Sequence, residues 1–102
     1  MAICTVFDNP GQTQEQTEAI LAALRASGPL PPSGATHVLG GPHEGGWRMI
    51  SVWDSPEAME RFYATRLPQA FREVGMDLSR HARSSFPVYK QAVGEGSLAQ
   101  PA

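Results

Sequence analysis

The 102 residues carry a formal net charge of −2, from eight Lys and Arg against ten Asp and Glu, and 41 % of them are hydrophobic. This composition predicts one folded domain and excludes a disordered chain, while the balance of charges excludes the clustered cations that nucleic-acid binding requires. The single cysteine, Cys4, excludes an intrachain disulfide and a CxxC motif, and no stretch approaches the roughly 20 apolar residues of a membrane span.

The first two predicted elements are a strand and a helix. Residues 2–8 (AICTVFD) are rich in β-branched and apolar types and end at an Asn-Pro-Gly turn, which predicts a strand. Thr13 and Gln16 have the spacing of a capping box, and apolar side chains follow at helical intervals. Gly28 and then Pro29 predict the end of this helix, because glycine suits a left-handed C-cap and proline cannot continue a helix.

The middle of the chain predicts a hairpin followed by a second helix. Residues 35–40 (ATHVLG) and 47–54 (WRMISVWD) are predicted strands, joined by a Gly-rich loop over 41–46. Ser55 is a favourable N-cap, and Pro56 suits the first helical position, where its missing N–H is not needed. These two residues therefore predict the start of a helix directly after the second strand of the hairpin.

The last part of the chain predicts a helix break, a final strand and a tail. Pro68 should kink or split the second helix, because its ring displaces the carbonyl four residues before it. Residues 85–93 (SFPVYKQAV) are predicted as the last strand, and Pro87 places that strand at a sheet edge. Residues 94–102 are small and polar, and we expect them to form a flexible tail.

The order strand, helix, strand, strand, helix, strand predicts a ferredoxin-like α+β domain over residues 1–93. This βαββαβ fold has a four-stranded antiparallel sheet with both helices on one face. Along the third strand, Trp47 and Trp53 point to one face of the sheet, and Ile50 and Val52 point to the other. Because the helices leave one apolar face bare, we predict a homodimer that pairs the two sheet faces as a dimeric α/β barrel.

The run from Trp47 to Phe62 (WRMISVWDSPEAMERF) resembles the central signature of antibiotic-biosynthesis-monooxygenase-like (ABM-like) proteins of the dimeric α/β-barrel superfamily. There a third strand ends in Trp, an acid and Ser, and a helix begins with Glu-Ala and an aromatic residue. The resemblance implies an oxygenase, isomerase or cyclase acting on an aromatic or polyketide-like substrate. The haem-degrading branch needs a His where this chain has Phe71 and Arg72, and the cyclase branch needs paired histidines, so the resemblance implies no haem and no other cofactor.

The resemblance also implies a ligand cavity between the sheet and its helices, and two residues are candidates for catalysis there. His37 lies in the middle of a predicted strand, and its imidazole can act as a general acid or base near neutral pH. Arg66 lies one helical turn after Phe62 and can stabilise an enolate or carboxylate in the same cavity. The alternatives are a structural histidine bonded to a backbone carbonyl and a surface arginine.

Five aromatic residues are candidates for substrate binding: Trp47, Trp53, Phe62, Tyr63 and Phe71. The two tryptophans share a strand face and can stack on a flat ring, and the Tyr63 hydroxyl can bond a phenolic or quinone oxygen. The alternative for these aromatic side chains is packing in the core. We predict no metal site, because the three histidines lack the spacing of known metal ligands.

Three functions stay open at this stage. The first is a cofactor-independent enzyme in which His37 moves a proton and Arg66 stabilises an oxyanion. The second is a binding or accessory protein that holds a small molecule without either residue, and the third is a dimer whose cavity is filled by its own side chains. We expect a small-molecule partner and a cytoplasmic location, because residues 1–8 lack the basic start and apolar run of a signal peptide.

Overall fold

The computed structural model describes residues 2–89, 91–93 and 97–99. Four strands form the main sheet: β1 (Ile3–Pro10), β2 (Ala35–His43), β3 (Gly46–Trp53) and β4 (Ala82–Pro87). The helices are α1 (Gln14–Ser27), α2 (Pro56–Ala64) and α3 (Arg66–Glu73). Two short strands, β5 (Gln91–Val93) and β6 (Ser97–Ala99), pair only with each other.

The main sheet is antiparallel with the order β2-β3-β1-β4, which confirms the predicted ferredoxin-like arrangement. The central strand β1 alternates between the two faces, so Thr5 and Phe7 point to the helices and are buried. Val6 and Asp8 point to the opposite face, which no helix covers. The two pieces α2 and α3 together occupy the place of the second helix of the fold.

Helix α1 begins at the predicted capping box. The Thr13 hydroxyl accepts the Gln16 N–H at 3.1 Å, and the Gln16 side chain accepts the Thr13 N–H at 3.0 Å. Gly28 ends the helix as predicted, but its φ of 163° is extended rather than left-handed. Glycine is favoured there for another reason: a Cβ at this position would lie 3.1 Å from the guanidinium carbon of Arg66.

The predicted break in the second helix is confirmed. Helix α2 ends at Ala64, and α3 begins at Arg66 after the single intervening residue Thr65. Pro68 lies in the first turn of α3, where its missing N–H is not needed, and its ring displaces the carbonyl of Ala64. The break therefore falls before the proline rather than at it.

The hairpin loop predicted over 41–46 is wrong in length. Strands β2 and β3 continue their pairing to His43 and Gly46, and the turn consists of Glu44 and Gly45 alone. Both residues have positive φ, 48° and 77°, which is the geometry of a two-residue turn that matches the twist of a hairpin. The hairpin is therefore longer and tighter than the sequence indicated.

The last predicted strand, over 85–93, is also corrected. Strand β4 begins three residues earlier, at Ala82, and ends at Pro87. It lies at the edge of the sheet beside β1, and its edge position agrees with the expectation from the proline. Within the predicted tail, residues 94–96 and 100–102 lie outside the described part of the chain, and Ser97–Ala99 forms β6.

The core lies between the sheet and the helices in two clusters. The larger cluster joins Phe7 on β1 to Leu24 on α1 and Phe71 on α3. The smaller cluster joins Trp53, at the end of β3, to Met59 on α2. No described helix is both long and apolar enough to cross a membrane.

Candidate functional site

A cavity lies in the core between the sheet and the helices. The volume open to the centres of water-sized spheres is about 70 Å³, which corresponds to roughly five to seven water molecules. Its wall is largely apolar, and several core side chains form it: Phe7, Ile20, Leu24, Leu67 and Phe71. The single chain therefore keeps a space between the sheet and the helices that its described side chains do not fill.

A more open groove adjoins the cavity beside α1 and the β2-β3 hairpin. Its volume, measured in the same way, is about 430 Å³. Four of the side chains that line both spaces are Leu21, Leu30, Val38 and Met49, so they form the boundary between cavity and groove. The groove therefore borders the cavity along these side chains.

The structure brings four of the five predicted aromatic residues together around the cavity: Trp53, Phe62, Tyr63 and Phe71. The ring centroids of Trp53 and Phe62 are 5.4 Å apart, as are those of Phe62 and Tyr63. Trp47 instead lines the groove. Aromatic rings at these separations interact favourably, so they form one rigid wall against which a flat ligand can pack. Contact with a substrate stays a prediction for all five.

Tyr63 lies beside a hydrogen-bonded pair on this wall. The indole N–H of Trp53 donates to the Ser51 hydroxyl at 2.8 Å, and Ser51 is close enough to the Tyr63 hydroxyl to lower its pKa. Burial raises the pKa of Tyr63, and Ser51 and the charge of Arg83 offset this only in part. Tyr63 therefore stays protonated at neutral pH and can donate a hydrogen bond.

Tyr63 also lines a second pocket of about 310 Å³ next to α2 and β4. There the guanidinium carbon of Arg83 lies 4.4 Å from the centroid of the Tyr63 ring, and Arg83 bonds Glu60 at 3.3 Å. The His81 ring stacks on Phe7 with centroids 5.2 Å apart. Arg83 thus lies over the Tyr63 ring as a cation over an aromatic face, and Phe7, which stacks on His81, also packs against that ring with centroids 5.9 Å apart.

A second polar chain lies beside the start of α1, among buried residues. The side-chain amide nitrogen of Asn9 donates to the side-chain oxygen of Gln12 at 2.9 Å, and the side-chain nitrogen of Gln12 donates to the Thr17 hydroxyl at 2.7 Å. The Thr17 hydroxyl in turn donates to the backbone carbonyl of Thr13 at 2.8 Å. Gln12 and Thr17 also line the cavity. None of these three side chains was predicted to lie at the site: Asn9 is near the end of β1, Gln12 is in a polar loop and Thr17 is on α1, and no apolar neighbours in the sequence indicate that they are buried.

Ser51 was also missed, although a signal for it was present. It lies two residues before Trp53 on a predicted strand, and alternation places both residues on the same face. A small hydroxyl beside a buried indole is a ready partner for the indole N–H.

His37 does not lie in the cavity, contrary to the sequence-based expectation. Strand β2 has a β-bulge between Ala35 and His37, which inserts one extra residue. Val38, rather than His37, therefore lies opposite Ser51 and lines the cavity. His37 is exposed on the sheet face that the helices leave bare, where it cannot reach a ligand between sheet and helices.

Arg66 also lies elsewhere than expected. Its guanidinium donates hydrogen bonds to the backbone carbonyls of Leu24, at 2.8 Å, and Pro29, at 2.9 Å. It does lie near Phe62, 5.9 Å from the ring centroid, but it is not among the side chains that line the cavity. The carbonyls at the end of α1 attract the guanidinium because that helix end carries partial negative charge.

Metal ligands are not clustered in the described part of the chain. Within residues 2–89, 91–93 and 97–99, no group of three or more His, Cys, Asp or Glu side chains could hold a metal ion. Tyr63 is the only ionisable side chain among the described residues that line the cavity. The site as described is therefore an apolar chamber with two sets of neutral hydrogen-bonding groups.

The fold is similar to those of several solved structures. A provisionally assigned antibiotic biosynthesis monooxygenase from Caulobacter crescentus superposes with a TM-score of 0.62 and 14 % identity, over 85 % of this chain and 89 % of that one. SnoaB, a cofactor-independent oxygenase from Streptomyces nogalater, gives 0.58 and 15 % over 92 % and 97 % of the two chains. A dimeric ferredoxin-like protein of unknown function from Thermobifida fusca gives 0.58 and 15 % over 86 % and 92 %.

No family model and no curated protein sequence matches the chain, so the likeness rests on three-dimensional structure. At these identities it shows the fold. It confirms the ferredoxin-like arrangement and, at the level of structure, the resemblance to ABM-like proteins.

Proposed function

We propose that the chain is a cofactor-independent enzyme that oxygenates a small aromatic or polyketide-like substrate in the cavity between the sheet and the helices. The observation that carries this proposal is a polar group at an otherwise apolar chamber: the Trp53 N–H donates to the Ser51 hydroxyl, and Ser51 acts on the neighbouring Tyr63 hydroxyl. The likeness to SnoaB, described as a cofactor-independent oxygenase, supports the reaction class.

The hydroxyl groups of Ser51 and Tyr63 determine how many hydrogen-bond donors remain for a ligand. Ser51 and Tyr63 have one O–H each, and the Ser51 oxygen already accepts the Trp53 N–H. Ser51 lowers the pKa of Tyr63, which is the effect of a hydroxyl that donates toward the phenol oxygen, so the Tyr63 O–H is the one that remains free to donate. The pair therefore supplies one donor to a ligand oxygen, and the indole N–H strengthens that donor through the chain.

The side chains of the cavity favour a substrate that ionises by its own acidity. Tyr63 is the only ionisable group among the described lining residues, and its raised pKa keeps it protonated. Isomerisation and cyclisation need a base that moves a proton between carbon atoms. A phenol or an enolisable ketone can form its anion without one, and a donor aimed at the developing oxyanion stabilises it.

Dioxygen is the oxidant in this proposal. The methylene group that the carbonyl activates, next to it in 2-tetralone and opposite it in the central ring of anthrone, becomes a second carbonyl; one oxygen atom of dioxygen enters the product, and the other leaves as water with the two methylene hydrogens. The protein contributes the oxyanion donor and an apolar chamber that excludes bulk water, which strengthens the hydrogen bond to the anion.

The test is oxygen uptake with 2-tetralone, a bicyclic enolisable ketone, and with the larger anthrone. Tyr63→Phe should lower kcat by about a hundredfold, the usual effect of removing one oxyanion donor. Tyr89→Phe is the matched control, because Tyr89 is 76 % exposed and does not line the cavity. Equal turnover by the wild type and Tyr63→Phe would refute the role of the donor.

The same assay tests the predicted base. If the substrate's own acidity supplies the anion, His37→Ala keeps its turnover. Loss of turnover in a folded His37→Ala protein would instead restore the histidine as the base, and Arg66→Ala can be judged in the same way for its predicted oxyanion role.

A non-catalytic binding protein is the second candidate. It is favoured by the same scarcity of ionisable groups at the cavity, since binding needs only the apolar wall and a hydrogen bond. The two candidates differ in one result: a binding protein gains thermal stability with 2-tetralone or anthrone but shows no oxygen uptake.

The bare sheet face is proposed as the contact of a homodimer. It carries Val6, Ile50 and Val52, and at its margins Leu39 and Phe86 are 60 % and 53 % exposed. Solved proteins of similar fold from Thermobifida fusca and Bacteroides fragilis are described as dimeric. Burying this apolar face against a second copy would remove it from water.

A further inference from the structure

The polar chain at the start of α1 has a fixed direction. It ends at the backbone carbonyl of Thr13, which can only accept a hydrogen bond, so the Thr17 hydroxyl must donate to it. Thr17 then accepts from the Gln12 amide nitrogen, and the Gln12 carbonyl accepts from Asn9. The direction of donation therefore fixes the orientation of the Gln12 amide, which would otherwise be ambiguous.

With this orientation, one N–H of the Gln12 side-chain amide has no acceptor among the described residues. The Gln12 amide nitrogen has two hydrogens and Thr17 takes one of them. The structure shows no acceptor for the other among the described residues. Gln12 is only 6 % exposed and lines the cavity. A buried N–H without an acceptor is costly, so this hydrogen calls for an acceptor inside the cavity.

We infer that Gln12 is a ligand-binding residue whose free N–H donates to a second oxygen of the substrate, with Asn9 and Thr17 as positioning residues. The inference rests on the proposed function, since it concerns the same cavity. It narrows the substrate to a class: a compact apolar ring system that carries a hydrogen-bond acceptor at each end, one for Tyr63 and one for Gln12.

The two hydrogen-bonding sites are set apart along the sheet. Ser51, which acts on Tyr63, lies opposite Thr5 on β1, whereas Asn9, which bonds Gln12, lies four residues further along the same strand. Four residues of strand span roughly 13 Å, which separates the backbone positions behind the two sites and favours a separate ligand oxygen for each. The cavity volume of about 70 Å³ counts only positions open to the centre of a water molecule. Roughly five to seven waters fit there, and at about 30 Å³ of liquid volume each they occupy the space of a bicyclic body of roughly 150–200 Å³.

The test compares two bicyclic probes by calorimetry without oxygen, so that no turnover occurs. 6-Methoxy-2-tetralone has an oxygen at each end, and tetralin has the same rings without oxygen. Gln12→Met should weaken binding of the oxygenated probe by about three- to tenfold, the effect of one hydrogen bond, and leave tetralin binding unchanged. If the ratio of the two affinities is the same in the wild type and Gln12→Met, the inference is wrong.

A spectroscopic measurement on the wild type avoids any effect of substitution on folding. The side-chain amide resonance of Gln12 should shift with the oxygenated probe and stay in place with tetralin; an unmoved resonance with the oxygenated probe bound overturns the inference. Thr17→Ser, which keeps the hydroxyl, should retain the affinity that Thr17→Val loses, and equal affinities would remove the positioning role. If neither probe binds the wild type, the proposed function fails as well; if the wild type takes up oxygen but Gln12→Met leaves the ratio of affinities unchanged, only the inference fails.

Discussion

The guanidinium of Arg66 donates a hydrogen bond of 2.8 Å to the carbonyl oxygen of Leu24, so the first residue of α3 caps the last turn of α1. The Leu24 carbonyl also accepts the Gly28 N–H at 3.1 Å, so the guanidinium adds a charged donor at a helix end that carries partial negative charge. Since α1 and α3 both supply walls of the cavity, this contact fixes the distance between two of its sides.

We therefore expect Arg66→Ala to lower the free energy of unfolding. Two hydrogen bonds from a partly exposed cation predict a loss of about 1–2 kcal/mol in urea denaturation. Arg72→Ala, on the exposed face of the same helix, should cost less than about 0.5 kcal/mol. Equal losses in the two variants would show that the cap contributes nothing specific.

The two tryptophans should respond differently to the same substitution. Trp53→Phe removes an N–H that Ser51 accepts and leaves a void around a side chain that is 1 % exposed, so a loss of about 1–3 kcal/mol is expected. The buried indole nitrogen of Trp47 has no partner among the described residues, so Trp47→Phe removes no hydrogen bond. Thermal unfolding of Trp53→Phe and Trp47→Phe measures the two losses of stability, and a larger loss in Trp47→Phe would contradict the prediction.

The ion pair on the bare sheet face predicts a sensitivity to acid. Arg48 donates to both carboxylate oxygens of Asp8, at 2.7 and 2.9 Å, and these bonds lower the pKa of Asp8 from its ordinary 3.8. A carboxyl whose pKa is lower in the folded state stabilises the fold above its unfolded pKa, and this stability is lost as the pH falls through the folded pKa.

Wild type should consequently lose more stability than Asp8→Asn as the pH falls below about 4. Denaturation at a series of pH values measures the difference between the two proteins. Asp54→Asn is the control, since Asp54 is exposed and has no ion pair among those seen in the described chain. Parallel pH curves for wild type and Asp8→Asn would rule out the contribution.

The proposed homodimer predicts a change of mass in solution. Leu39→Glu places a charge on the bare face and should convert a dimer to the 11.0 kDa monomer, because a buried unpaired charge is costly. Val38→Glu is the matched control: Val38 is the neighbouring residue, but it points to the cavity side. Light scattering measures the mass of each variant in solution, and an unchanged mass for Leu39→Glu would place the dimer contact elsewhere.

The sequence predicts those parts of the fold that depend on neighbours in the chain. The capping box at Thr13 and the start of α2 after Ser55 are local hydrogen bonds, so the residues alone indicate them. Strand β4 was misplaced because its residues are exposed throughout and show no apolar alternation. Only its pairing with β1 makes it a strand, and such a contact is distant in the sequence.

The candidate site was predictable to a similar extent. The aromatic wall follows from the alternation of β3 and the helical spacing of α2. His37 was placed on the wrong face because a one-residue bulge reverses every side chain beyond it, and nothing in the sequence marks the bulge. Arg66 was assigned to the cavity because its spacing from Phe62 says nothing of the acceptors at the end of α1.

The use of core side chains as cavity walls limits how this protein can diversify. A substitution of Phe7, Leu24 or Phe71 that reshapes the chamber also removes contacts that hold the domain together, and selection for folding acts against it. Leu21 and Val38, at the border with the groove, are less buried and can vary at smaller cost. Substitutions that the fold tolerates should therefore collect at the border with the groove, while the chamber itself changes slowly.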